Sequence, residues 1–238
     1  AFTDESGSGS SSTLSGRIAK HFDLMGGAMS IDAGDVSASA AIRTAIDLLT
    51  SRRCDMVLAA AGQRSTDLAV FEEFAQAGEL PDSSVDMSRE GTVPGAGAGV
   101  IVLKRLSDAE RDGDRVHAVL RGAGIESDAA SADRAIRGAL QRSLAESGAA
   151  TDEVGLLEAG DWYSRHCGAS GSLRRQIGHL QGAGGMAALM KAVLEMKNAR
   201  IPAPTRSSRT DDATLPLYAT SPRGTCMASV VTFSNHGY

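Results

Sequence analysis

Residues 52–62 read Arg52-Arg53-Cys54-Asp55-Met56-Val57-Leu58-Ala59-Ala60-Ala61-Gly62. From Cys54 to Ala61 the run is apolar almost throughout and does not alternate, the pattern of a strand buried on both faces of a sheet. A second buried strand is predicted over Val100 to Leu106, fed by a loop that carries Gly95, Gly97 and Gly99. Between and around these runs the apolar period becomes helical. Upstream, Ile42, Ala45, Ile46 and Leu49 share one face of a helix predicted from about Val36 to Leu49, with a short strand before it at Ala28 to Ile31. A short helix at Leu68 to Gln76 separates the two buried strands, and Asp108 to Asp114 reads as a charged turn.

The second half of the chain repeats the rhythm. A strand at Val116 to Arg121, an amphipathic helix at Ala132 to Glu146 and a strand at Val154 to Glu158 lead into a Gly/Ser-containing connection. A helix follows from about Gly182 to Asn198, where Met186, Leu189, Met190, Val193, Leu194 and Met196 supply core bulk rather than a cofactor contact. Strands at Leu215 to Thr220 and Met227 to Phe233 close the chain. Strands alternating with helices, with the strands doubly buried, make an α/β fold in layers.

The chain has 238 residues, enough for one domain with a substantial core. Residues 1–13 are Ser/Gly-rich and read as a flexible lead-in; 14–238 form the domain, its first half running to about 112 and its second starting at about 115. A formal net charge of -5 with both signs interspersed argues against nucleic acid or an anionic membrane as the main partner. Cys54, Cys167 and Cys226 are odd in number and far apart, so they suggest neither a disulfide framework nor a zinc site. The default compartment is the cytoplasm. No segment approaches the roughly 20 apolar residues of a membrane span, and the N-terminus lacks the order of a signal peptide. Position 1 is Ala rather than Met, which suggests a chain trimmed or cut from something longer.

Four segments in order, read together, resemble the β-ketoacyl synthase (ketosynthase) family of the thiolase superfamily. They are Gly16 to Leu24, Arg52 to Gly62, Gly91-Thr92-Val93-Pro94-Gly95-Ala96-Gly97-Ala98-Gly99 through Ala109, and Ile177-Gly178-His179. The resemblance implies a thiolase-like layered αβαβα fold, missing the N-terminal strands of its first half, and dimerisation through the strand ahead of the nucleophile, here Ala28 to Ile31. Without those N-terminal strands the runs at Cys54 to Ala61 and Val100 to Leu106 would expose unpaired edges and a bare apolar face. A complementary N-terminal chain or a full ketosynthase is the partner this implies, in a homo- or heterodimer.

The departures from the family pattern bear on function. Matching Ile31-Asp32 to the family's Val-Asp puts the nucleophile position, a Cys in ketosynthases, at Asp35. A carboxylate cannot form a thioester, and a mixed anhydride would be hydrolysed rather than stored. The position of the family's first histidine holds Gly160; its lysine corresponds to Arg174, the acidic residue of its glycine-rich turn to Ala96, and its gating loop to Thr220-Ser221-Pro222-Arg223-Gly224. His179 matches the second histidine, which in the family donates to the thioester carbonyl.

Asp35 therefore has two readings, a helix N-cap or a general base facing the former active site. His179 is either a polar relic or, with Asp35, a group that polarises a carbonyl. Trp162 and Tyr163 plug the old pocket or line a new one. Cys167 lies in a Gly/Ser-rich loop with no predictable base, and Arg174-Arg175 is a solvated pair or a receiver for the phosphate of phosphopantetheine. The glycines at 95–99 precede a strand with no Lys-Ser/Thr after them, so they are not a nucleotide loop. No cofactor is expected beyond a phosphopantetheine-borne substrate on an acyl carrier protein. Three readings remain open: a non-elongating partner of an active ketosynthase in the manner of a chain-length factor, a decarboxylase, dehydratase or cyclase using Asp35 and His179, or a purely structural remnant within a large synthase.

Overall fold

Helix α2, Ser37–Thr50, places Ala38, Ile42, Ala45 and Leu49 on one buried stripe, the spacing that the apolar period requires. The computed structural model describes residues 12–64, 68–78, 80, 93–126, 132–154, 156–159, 170–171, 173–202, 214–216 and 228–231. Helix α1, Ser12–His21, precedes α2 in the chain; strand β1, Met56–Gln63, and helix α3, Leu68–Gln76, follow it. Then come strand β2, Gly97–Lys104, helix α4, Leu106–Asp112, and helix α5, Ala132–Ser147. The remaining elements are β3, Leu156–Ala159, β4, Ser170–Gly171, α6, Leu173–Ile177, α7, Gly184–Asn198, β5, Arg200–Pro202, β6, Thr214–Pro216, and β7, Ala228–Val231.

β1 and β2 form an antiparallel ribbon, with Met56 opposite Lys104 at one end and Gln63 opposite Gly97 at the other. Residues directly opposite in such a ladder project to the same face. On the inner face Ala59 packs with Ala38, Ile42 and the fully buried Met186 of α7, and Ala61, Ile101, Ile46 and Leu189 pack against that cluster. A parallel sheet in the order β4-β3-β7 and an antiparallel pair β5-β6 make up the second half. α2 packs on β1 and on α7, and α7 touches β2, β3 and β7, so α7 lies between ribbon and sheet. Lys191 and Glu195, one turn apart on α7, are buried with the charges 3.1 Å apart, an ion pair without hydrogen-bond geometry at the Glu195 oxygens.

Several sequence expectations are corrected. The runs at Cys54 to Ala61 and Val100 to Leu106 are strands, but they are not doubly buried: Met56, Leu58, Val100 and Val102 stand exposed on the outer face, Val102 at 60%. Among the described residues no third strand joins this ribbon. Gly97 and Gly99 lie inside β2 rather than in a loop. Ala28 to Ile31 is not a strand: among the described residues no strand offers it a ladder, and Met29 is 52% exposed. Val116 to Arg121 likewise forms no strand.

The charged turn at Asp108 to Asp114 is instead the end of α4, closed by Gly113 in the left-handed region at φ 72. Its acids pair with the side chains of Lys104 and Arg105, just ahead of the helix, and of Arg111 within it. Arg105 donates to the carbonyls of Leu49 and Cys54 at 3.0 and 2.7 Å and pairs with Asp55 and Asp108, tying the end of α2 to β1 and α4. Lys104 reaches Asp112 and Asp114, both at 2.5 Å. The bond from Arg105 holds the Asp108 carboxyl below the usual range, and the bond from Arg111 does the same to Asp112, with Lys104 adding to it. Ser12 and Thr13 belong to α1, a helix that the Ser/Gly-rich composition concealed, while residues 1–11 of the expected lead-in lie outside the described residues.

Candidate functional site

The turn ahead of α2 is fixed by its own short side chains. Gly34, at φ 58, gives its N–H to Asp32 Oδ1 at 3.2 Å; Ala33 N–H donates to Ser37 Oγ at 2.9 Å, and that hydroxyl donates to the Gly34 carbonyl at 2.6 Å. Val36 occupies the capping position of α2 and supplies no side-chain bond, and Asp35 directly precedes it. The Asp35 side chain turns toward His179, Oδ2 lying 3.6 Å from Nε2, with 13% and 7% of the two side chains exposed.

His179 is held from both sides of the backbone. Its N–H donates to the Val93 carbonyl at 2.8 Å and its carbonyl accepts from Gly95 at 2.9 Å, a parallel bridge centred on Pro94. This crossing needs glycine on both segments. A Cβ on Gly95 would run into the Ile177 carbonyl, and one on Gly178, at φ 80, would lie 2.8 Å from the Val93 carbonyl. The same tightness brings α2 and the start of α7 together, since a Cβ on Gly185 would meet Ser39 Oγ at 2.7 Å.

The imidazole is oriented by a hydrogen bond and a ring contact. The Gln181 N–H donates to Nδ1 at 2.8 Å, and Gln181 adopts φ 43, a left-handed conformation uncommon for a non-glycine residue. With Nδ1 accepting, the ring proton sits on Nε2, on the side of Asp35. Phe74 of α3, itself buried, meets the imidazole edge-on, with ring centroids 5.6 Å apart at 71°. Sequence reading singled out neither Phe74 nor Gln181. Phe74 carries only the signal of an apolar residue in a short helix, and the role of Gln181 lies in its backbone.

The structure thus brings together one hydrogen-bond donor, Nε2–H, and one carboxylate acceptor, separated by more than a direct hydrogen bond. Cys54 has no part in this: it precedes β1 at the Met56–Lys104 end of the ribbon, whereas His179 joins Pro94 beyond the Gly97–Gln63 end. An eight-residue strand separates those ends by about 26 Å. Ala96 is exposed beside the bridge and brings no charge. Arg174 lies in α6, and Gly160, Trp162, Tyr163, His166, Cys167, Cys226 and the 220–224 loop lie outside the described residues. Among the described residues no group of three or more His, Cys, Asp or Glu is placed to hold a metal, and no helix is long and apolar enough to cross a membrane.

Comparison with known proteins places these features in a family. Residues 3–109 match the "Beta-ketoacyl synthase, N-terminal domain" family and residues 161–207 the "Beta-ketoacyl synthase, C-terminal domain" family. The spectinabilin polyketide synthase system protein NorB of Streptomyces orinoci is 34% identical, the match covering 80% of this chain and 10% of that protein. The pikromycin polyketide synthase component PikAIII of Streptomyces venezuelae is 31% identical over 79% of this chain and 14% of its own length. The chain therefore spans only a small part, 10% and 14%, of the length of these relatives.

Among solved structures, the oxazolomycin ketosynthase domain OzmH KS8 of Streptomyces albus JA3453 superposes with a TM-score of 0.73 at 27% identity, covering 95% of this chain and 66% of that one. The ishigamide ketosynthase/chain length factor gives 0.77 at 20% identity, covering 89% and 60%, a likeness of fold alone. The fold is that of the thiolase-like ketosynthases, as the sequence resemblance implied.

Proposed function

The chain belongs to the β-ketoacyl synthase family, and from that premise we propose that it is a non-elongating, ketosynthase-like component of polyketide or fatty-acid biosynthesis, acting beside an active ketosynthase in the manner of a chain-length factor. The observation that carries this reading is Asp35. The residue at the family's nucleophile position is a carboxylate whose Oδ2 lies 3.6 Å from His179 Nε2, so the position is occupied by a group that cannot hold an acyl chain as a thioester. Its substrate in this reading is an acyl chain on the phosphopantetheine arm of an acyl carrier protein, and its compartment is the cytoplasm.

Partnership is supported by the ribbon. Met56, Leu58, Val100 and Val102 form an apolar outer face, which a ketosynthase or a complementary N-terminal chain would cover in a homo- or heterodimer. The test is to express the chain alone and with a candidate ketosynthase and carrier protein. The reading expects a poorly behaved or self-associated protein that becomes a defined complex on co-expression. A well-folded monomer that captures neither protein would reject it.

A second reading is favoured by the Asp35–His179 approach itself. An acid–base pair beside a carbonyl site suits an enzyme with altered chemistry, a decarboxylase, dehydratase or cyclase on an acyl or polyketide substrate. Replacing Asp35 with Asn and His179 with Ala, with no change in any product, would remove it.

A further inference from the structure

We propose that two copies of this chain pair by laying helix α1 of one against helix α3 of the other. The two helices are ten and nine residues long, short of the roughly 12–15 residues at which a helix holds in water without packing. Neither is packed on another helix or strand to the extent that α2 and α7 are. α3 is anchored by the buried Phe74 against His179, which leaves Leu68 and Phe71 in solvent.

The two exposed faces are apolar and opposite in charge. On α1, Leu14 and Arg17 lie three residues apart and share a face, with Lys20 one turn on from Arg17; Phe22 and Met25 stand exposed just past the helix end, Met25 at 91%. On α3, Leu68, Phe71 and Glu72 share a face by the same spacing, and Leu68 is 72% exposed. From residue 12 to 25 the charges are Arg17, Lys20 and one acid, Asp23; from 68 to 78 they are Glu72 and Glu73. Elsewhere Arg43, Lys104, Arg105 and Arg111 are closed on carboxylates of their own chain, whereas Arg17 and Lys20 face solvent.

The occupant follows from this complementarity. A basic apolar helix and an acidic apolar helix are carried by one molecule, so two copies related by a twofold axis make the contact twice, α1 on α3 and α3 on α1. Leu14 and Phe22 supply the apolar area, and Arg17 against Glu72 fixes the pairing, since α1 on α1 or α3 on α3 would set like charges together. The pairing involves neither Asp35 nor the outer face of the ribbon.

The experiment measures self-association of the purified full chain by sedimentation equilibrium, once as it is and once carrying Val102→Glu, which takes the ribbon face out of the comparison. The chain should form a dimer that weakens as salt is raised. Arg17→Glu and Glu72→Lys should each raise the dissociation constant about 100-fold, because one reversal spoils both contacts of the dimer. Mixed in equal amounts, the two variants should recover a dimer containing one copy of each, since a reversed α1 then meets a reversed α3 and the other contact pairs two unaltered helices. Circular dichroism checks that the variants have equal folded content. A monomeric wild-type chain, association that neither reversal weakens, or weakening without recovery on mixing would each overturn the pairing. So would a monomer that binds phosphatidylserine vesicles and loses them with Arg17→Glu, a result that assigns α1 to a lipid surface.

Discussion

The ring of Phe74 meets the imidazole of His179 edge-on, 5.6 Å between centroids, and so fixes from α3 a side chain that belongs to the segment before α7. Phe74 is 5% exposed, which makes it a structural support of the site as well as a core residue.

Truncating it tests both roles. Phe74→Ala removes a buried aromatic and should destabilise the protein by about 3 kcal/mol, read from the urea midpoint. Phe74→Leu refills most of the volume and should recover most of that loss, while leaving the imidazole without its edge contact. A Phe74→Leu variant with the folding stability of wild type and a changed His179 proton resonance would separate the positioning role from packing.

The acid clamp around α4 has a pH signature. Asp112 and Asp108 have carboxyls held below their ordinary range, Asp112 first by Arg111 and Asp108 first by Arg105. A carboxylate depressed in the folded state contributes stability that is present above its unfolded value, about 3.9, and is lost as pH falls through the folded value. Asp112→Asn should therefore be less stable than wild type at neutral pH, and the two melting temperatures should converge in strong acid. Because these pairs are solvent-screened, the neutral-pH gap should narrow in high salt.

The outer face of the ribbon makes a third prediction. Val102 and Leu58 stand opposite one another in the ladder and share the exposed face. Val102→Glu should leave the inner packing of Ala59 and Ile101 intact and reduce self-association in light scattering. The same change should abolish assembly with a co-expressed ketosynthase or N-terminal chain. Unchanged assembly would move the partner surface elsewhere.

What sequence could and could not show follows from the physics of each element. α2, α3, α5 and α7 lie where their apolar period places them, because a helix buries a stripe set by local spacing. β1 and β2 were legible as strands, but how much of each face is covered depends on neighbouring segments, and Val102 at 60% exposure is the result. The Ala28 to Ile31 strand failed for the same reason, since a strand exists only with a partner. α4 was hidden by its charges, whose pairing with Lys104 and Arg105 is tertiary. At the site, the resemblance pointed to Asp35 and His179, and spacing in the chain could not reveal that they approach to 3.6 Å, nor that Phe74 and the Gln181 N–H orient the ring.

The most direct measurement is intact mass after exposure to an acyl-N-acetylcysteamine thioester, wild type beside Asp35→Cys. If position 35 is the acyl-accepting position with its sulfur replaced, the wild type keeps its unmodified mass and Asp35→Cys gains one acyl group at residue 35. A stable acyl adduct on the wild-type chain, at any cysteine, would contradict the account.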